Sequence, residues 1–255
     1  MINIDTDILP AFKGKRCQSK IKVANYFKSL HPTLSSVSAA IKVAYFVEVK
    51  NIAYSYDVTH YRLSNELKKY HYLEGYDQTI IKLLNGIKKK IKICLWETQV
   101  FYDCLNLQPS SSYYIIEVPK YALEFIKEYF LSKGLIPTSF GDFDYLFGNR
   151  KIILKTYNEY NPIYSSRQIY PYPNDEVIIA RPKIEKLIVD LLVDRNLMFI
   201  SQNERDDVAT MLLNQFQVNL TTLLSYARSR NKMDVIKELL VENGFVNNEG
   251  EIIYD

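Results

Sequence analysis

Ser35-Ser36-Val37-Ser38-Ala39-Ala40-Ile41-Lys42-Val43-Ala44-Tyr45-Phe46, followed by Ile52-Ala53-Tyr54-Ser55-Tyr56 and Thr59-His60-Tyr61-Arg62-Leu63, decides the reading of the chain. Ser35 or Ser36 can cap a helix, because a serine hydroxyl accepts a bond from a free N–H of the first turn. The pattern predicts a helix to about Phe46 with Val37, Ala40, Ile41 and Ala44 inward. The two segments after it are β-prone, and Asp57-Val58 between them reads as a hairpin turn. Asn51 stands before the hairpin where glycine is commoner, and asparagine tolerates left-handed backbone angles. Upstream, Ile21 to Leu30 reads as a short helix with Val23, Phe27 and Leu30 on one face. His31-Pro32 ends it, since the residue before proline disfavours helical angles. Helix, turn, helix, hairpin is the order of a winged helix-turn-helix, and residues 1–19 in front of it read as an irregular arm.

Working outward toward the C-terminus, residues 77–90 suggest an amphipathic helix with Ile80, Ile81, Leu84 and Ile87 apolar. Strands are expected at Ile91 to Trp96, Tyr113 to Val118, Lys151 to Lys155 and Val177 to Ala180. A short helix near Thr98 to Leu105 and one from Pro119 to Gly134 lie among them. From Arg181 to Gly244 the chain reads as helical. Pro182 opens the first of these helices, Asn203 and Asn219 stand as caps for the next two, and Lys232 to Asn243 forms the last. The expected fold class is therefore mixed α+β. An N-terminal winged-helix domain with its arm (residues 1–70) precedes an α/β domain ending in a C-terminal helical bundle (residues 71–255).

Composition narrows the function classes. Hydrophobic residues make up 47% of the 255, enough for a sizeable core. No apolar run approaches the roughly 18 residues of a membrane span, and Lys42 and Glu48 break the longest, around Val37 to Val49. Cys17, Cys94 and Cys104 are odd in number and lack CxxC spacing, which points away from a disulfide framework or zinc knuckle and toward the reducing cytoplasm. The net charge of +3 conceals a split. Residues 1–92 hold 16 Lys/Arg against 7 Asp/Glu, whereas residues 93–255 hold 16 against 22. A basic front and an acidic back suggest different partners.

No complete catalytic constellation is legible. Asp142 and Asp144 alternate as the metal-holding carboxylates of a nucleotidyl-transfer site would, but the required Gly-Ser or Gly-Gly turn upstream is missing, since Leu135 follows Gly134. Asp103 and Glu117 could supply the acids of a PD-(D/E)xK metal-dependent nuclease. Pro119, however, stands where the lysine belongs and Lys120 is one place late, so Glu117 reads better as an electrostatic cap of the following helix. His31, His60 and His71 lack a nucleophile elbow. No catalytic residue, metal or cofactor is expected, and a degenerate nuclease is the enzymatic alternative. As a winged helix, the N-terminal part would present Ser35, Ser36, Ser38 and Lys42 to DNA. Lys20, Lys22, Lys50 and Arg62 would contact the backbone, which fixes register without reading sequence. A winged helix used only for protein docking is the other alternative.

The stretch Leu95-Trp96-Glu97-Thr98 to Gln108-Pro109, then Ile115-Ile116-Glu117-Val118, resembles the AbiEi-like antitoxins of type IV toxin–antitoxin systems, which act in phage defence. So do Arg181-Pro182-Lys183-Ile184-Glu185-Lys186-Leu187-Ile188-Val189-Asp190 and Leu223-Leu224-Ser225-Tyr226-Ala227-Arg228-Ser229-Arg230. The likeness covers most of residues 60–240 in order. It implies an N-terminal winged helix that binds operator DNA as a transcriptional regulator. It also implies a C-terminal part that neutralises a nucleotidyltransferase toxin, AbiEii, encoded by a neighbouring gene. Lys183, Lys186, Arg228 and Arg230 are the candidate partner contacts. Two departures stand out: the hairpin lacks glycine at its tip, and the second helix is weakly basic.

Overall fold

The computed structural model describes residues 3–64, 67–70, 78–87, 90–105, 112–137, 151–158, 160–164, 177–197 and 200–254. Helix and strand are mixed in an α+β fold with two sheets. The chain divides into two compact units, Met1–Tyr70 with Leu212–Asp255, and His71–Met211. The second boundary differs from the sequence expectation: residues 212–255 do not belong with residue 71 onward but complete the N-terminal unit. Helical periodicity reveals which face of a segment is apolar, not which distant segment it covers.

In unit 1 the first residues are not an irregular arm. Helix α1 (Ile4–Asp7) and a 3-10 turn (Leu9–Phe12) bury Ile8 and Phe12, and β1 (Cys17–Ser19) enters a sheet. Helices α2 (Lys20–Leu30) and α3 (Ser36–Val49) follow, then β2 (Ala53–Ser55) and β3 (His60–Leu63). The sheet order is β1-β3-β2, antiparallel throughout, with Cys17 opposite Arg62 and Tyr54 opposite Arg62 on the other side. The Ser35 Oγ accepts from the Ser38 N–H at 3.1 Å, capping α3 as its sequence suggested. Asn51 takes φ 53° in the turn before β2.

The inward face of α3 differs from expectation. Ala39, Val43 and Val47 are buried with Val23, Phe27, Ala53 and Tyr61. Val37 and Ile41 point to solvent, and Ala40 is exposed. The helix is apolar nearly all round, so hydrophobic periodicity alone leaves its rotation undetermined.

Residues 212–255 bond to the C-terminal end of β2, an edge strand of this sheet. The Leu220 N–H donates to the Tyr56 carbonyl at 2.8 Å, and the Asn219 side-chain amide to the Ser55 carbonyl at 2.8 Å. The same Asn219 caps α8 (Leu220–Ser229) by accepting from the Thr222 N–H. Helix α9 (Met233–Glu242) packs on α8 through Ile236, Leu239 and Leu240. Near the end of the chain, Tyr254 stacks on His60 with ring centroids 3.9 Å apart and donates to Asp57.

Unit 2 is built on a four-stranded sheet of order β6-β5-β4-β7. Strands β4 (Ile91–Glu97) and β5 (Tyr113–Val118) are antiparallel, whereas β6 (Lys151–Thr156) runs parallel to β5 and β7 (Val177–Ala180) parallel to β4. Side chains alternate between the two faces. Ile91, Ile93, Leu95, Tyr114, Ile116, Val118, Ile152 and Leu154 share one core with α4 (Gln78–Asn85) and α5 (Leu123–Ser132). Cys94, Trp96, Ile115, Glu117, Ile153 and Lys155 therefore face the other way, on the side of α6 (Ile184–Val193). Helix α7 (Gln202–Gln215) leads back into unit 1.

Gly86, just after α4, lies under Tyr129, whose hydroxyl donates to the Leu83 carbonyl at 2.7 Å. A Cβ at residue 86 would collide with that hydroxyl oxygen. Gly86→Ala is expected to cost roughly 1–3 kcal/mol by overpacking and Tyr129→Phe about 1 kcal/mol for its hydrogen bond. Urea unfolding of the single and double variants checks this. In the Tyr129→Phe background Gly86→Ala should cost clearly less, and strict additivity would show that no such contact exists.

Candidate nucleic-acid interface and a buried ionic centre

Of the residues expected to meet DNA, several are held by the protein itself. Lys20 Nζ donates to the Asp57 carbonyl at 2.8 Å, and burial pulls its ammonium below the ordinary lysine range. The Arg62 guanidinium lies over the rings of Tyr56 at 4.9 Å and Phe245 at 5.5 Å, an arrangement that favours a delocalised cation. Ser35 and Ser38 belong to the α3 cap, and the Ser36 hydroxyl accepts from Lys28 Nζ at 2.9 Å. Lys22, Lys42 and Lys50 are exposed. On α3, with Lys42 next to Ile41 and Lys50 at the C-cap, the outward Val37, Ile41, Tyr45 and Val49 are 69%, 65%, 60% and 58% exposed.

The hairpin tip is ordered by one carboxylate. Asp57 Oδ1 accepts from the Thr59 and His60 N–H groups, and its Oδ2 accepts from the Tyr254 hydroxyl. Burial opposes ionisation of Asp57, but these donors outweigh it and hold the carboxyl below the usual range. Burial and the neighbouring carboxylate push the Tyr254 phenol up to about 12. His31 and His60 have structural roles: His31 meets Asp7 at 3.2 Å and His60 carries the Tyr254 ring. His71 lies outside the described residues.

The densest electrostatics lie in unit 2. Lys186, expected at a partner surface, has no exposure at all. Its Nζ donates to Glu117 at 2.7 Å and to Asp190 one helical turn on. Lys155, opposite Glu117 in the β5–β6 register, pairs with Asp194 and approaches Glu117 at 3.3 Å and Asp190 at 3.8 Å. Trp96 Nε1 donates to Glu117 at 2.9 Å, and Asn161 donates to its other oxygen at 3.3 Å. Both ammonium groups sit 5.6–5.7 Å from the Trp96 ring centroid. Burial alone would lower both lysines, but the surrounding carboxylates prevail and raise them above the ordinary range. Burial and Glu117 push the Cys94 thiol up, so it stays protonated.

Glu117 is accordingly not a helix cap: it is buried on the sheet face and held by three donors. The Asp103 side chain and Asp142 and Asp144 lie outside the described residues, and among the described residues no group of His, Cys, Asp and Glu has the arrangement of a metal site. Lys155, Asp194, Asn161 and Trp96 were not singled out from the sequence. Their signal was a charge inside apolar runs: Glu117 in Tyr-Tyr-Ile-Ile-Glu-Val, and Lys155 closing Lys-Ile-Ile-Leu-Lys. Lys183 is half-buried before α6. Arg228 is exposed on α8, and Arg230 donates to the Tyr226 hydroxyl at 3.2 Å. No described helix is long and apolar enough to cross a membrane.

Residues 42–245 match the model of a family of unknown function, DUF6577. The chain belongs to this family. No curated protein matches it. The DUF6577 match begins inside α3 and takes in the hairpin, the ionic centre and α8.

The ionic centre sets an expectation for the DUF6577 chain. Lys186→Met removes the buried cation that bonds both Glu117 and Asp190 and leaves Lys155 as the one lysine against three carboxylates, a defect that costs about 3–5 kcal/mol. A lysine raised in the folded state stabilises fully below its unfolded value, about 10.4, and that contribution is lost as pH rises through the folded value. Unfolding free energy of the parent should therefore fall above about pH 10, and less steeply in Lys186→Met. Denaturant titrations from pH 7 to 11 measure both, and identical alkaline slopes would contradict the assignment.

Proposed function

We propose that this protein is a regulatory binding protein rather than an enzyme. In this reading residues 1–70 act as a winged helix on operator DNA, and the chain as a whole neutralises a nucleotidyltransferase-like toxin encoded by a neighbouring gene. The observation that carries the first half is the element order α1-β1-α2-α3-β2-β3 with sheet order β1-β3-β2. That arrangement places a two-helix corner in front of a hairpin, the geometry in which the second helix can enter a groove. The exposed Lys22 of α2, Lys42 of α3 and Lys50 at the α3 C-cap supply the charge such binding needs. Its second half rests on the resemblance to AbiEi-like antitoxins, with Lys183, Arg228 and Arg230 as remaining contact candidates. The buried ionic centre supports a non-catalytic role, because Glu117 already receives Trp96, Lys186 and Asn161.

One observation favours protein docking without DNA as a second reading, namely the apolar outward face of α3. Electrophoretic shifts with the full-length chain separate the two. The DNA upstream of its own gene should bind more tightly than random duplex, and affinity should fall steeply with salt. Lys42→Ala should reduce the slope of log K against log salt by about one. Equal affinity for both duplexes would remove the operator-reading role. Coexpression with the adjacent nucleotidyltransferase-like gene, scored as growth rescue, tests the antitoxin role, and unrelieved toxicity would remove it.

A further inference from the structure

We propose that α3 reads thymine methyl groups: its outward stripe of Val37, Ile41 and Tyr45 contacts the methyl-bearing edge of A·T pairs in the major groove of duplex DNA. This rests on the DNA-binding reading above. The first observation is the stripe itself. Residues spaced by four lie in line on one helical face, and these residues, with Val49, are each more than half exposed. They lie opposite the buried Ala39, Val43 and Val47. Such a face is poor in hydrogen-bonding readers. Arginine, glutamine and asparagine, which discriminate bases by bidentate bonds, are absent from α3, whose sequence is Ser-Val-Ser-Ala-Ala-Ile-Lys-Val-Ala-Tyr-Phe-Val-Glu-Val. Thymine alone presents a methyl group in the major groove, and apolar side chains recognise it by contact.

The second observation is charge. Residues 1–70 hold 11 Lys/Arg against 5 Asp/Glu; Lys42 and Lys50 are exposed on α3 and at its C-cap, and Lys28 reaches Ser36 at its start. An apolar stripe within a basic surround fits a polyanion that carries methyl groups. The helical acid of α3, Glu48, stands at its C-terminal end, so the first three turns are those that enter the groove. A helix with its side chains is about 10–12 Å across, close to the ~12 Å width of that groove. A second copy of the chain is a weaker occupant. It would set the basic surface of residues 1–70, with 11 Lys/Arg against 5 Asp/Glu, against itself.

The test uses the full-length chain. Duplexes bound from a random pool are selected and sequenced, and deoxyuridine then replaces thymidine position by position in the selected site. Uracil keeps every hydrogen-bonding group and lacks only the methyl. The expected result is a thymine-containing core in which each contacted methyl is worth about fourfold in affinity, the value of one buried carbon group. In Ile41→Ser, a substitution at an exposed position, the thymine-to-uracil ratio should approach one at the affected step. Binding to random duplex should persist with its salt dependence. Selected sites that tolerate uracil everywhere would overturn the inference while leaving DNA binding intact. A pool that yields no preferred sequence would overturn both this inference and the operator-reading role. Sedimentation velocity provides the remaining arm: a dimer of the parent chain that Ile41→Ser dissolves would assign the stripe to a second copy and overturn the proposal.

Discussion

Glu117 is the penultimate residue of an otherwise apolar strand and is buried there, and a carboxylate in that position is tolerated only with its charge fully answered. Removing an ion from water carries an effective penalty of several kcal/mol, which is recovered only where the geometry of the partners is good. Lys186, Lys155, Trp96 and Asn161 meet that requirement from α6, β6, β4 and the segment before β7. Unit 2 is constrained accordingly. A one-residue slip of β5 would turn Glu117 into the core formed with α4 and α5 and carry Ile116 toward the lysines. By this argument the ionic centre adds little net stability over a packed apolar core, and what it contributes is a penalty on any slip that turns β5 over.

Unit 1 solves a different problem. Its candidate wing is a short hairpin with no glycine at the tip, and the Asp57 side chain replaces what a glycine turn would supply by accepting two backbone N–H groups. Tyr254 completes the arrangement from the far end of the chain. With Lys20 and Arg62 both engaged inside the unit, the polar chemistry of the hairpin serves its own order. The outward chemistry is concentrated on α3, where it is mostly apolar.

Several local signals were legible where one principle acted alone, whereas the cap expected at Asn203 falls to Ser201, whose Oγ accepts from the Glu204 N–H ahead of α7. The Ser35 and Asn219 caps, the left-handed Asn51 and the β7 bounds follow from hydroxyl or amide capping, a tolerant side chain and a short β-branched run. The rotation of α3 was not legible, because a helix apolar on most sides fits several inward faces. Lys186 looked like a surface contact because lysine usually is one. Its i,i+4 spacing to Asp190 was visible, whereas its pairing with Glu117, 69 residues away, depends on the sheet. The parallel β5–β6 register that brings Glu117 and Lys155 to one face lies in tertiary pairing rather than in any short motif.

The discontinuity of unit 1 has a consequence for how the molecule comes into being. Synthesis runs from the N-terminus, so the β2 edge emerges long before Asn219 and Leu220 can cover it. Unit 2 is contiguous in sequence, whereas unit 1 is complete only once its last two helices have been made. The nascent chain therefore passes through a stage with an open sheet edge and an exposed Tyr56, the kind of surface on which chaperones act and misassembly begins. Architecturally, unit 2 is an insertion into unit 1. Residues 1–70 alone are an unfinished fold, whose hairpin receives its bonds from Asn219 and Tyr254 only when the final segment has been made.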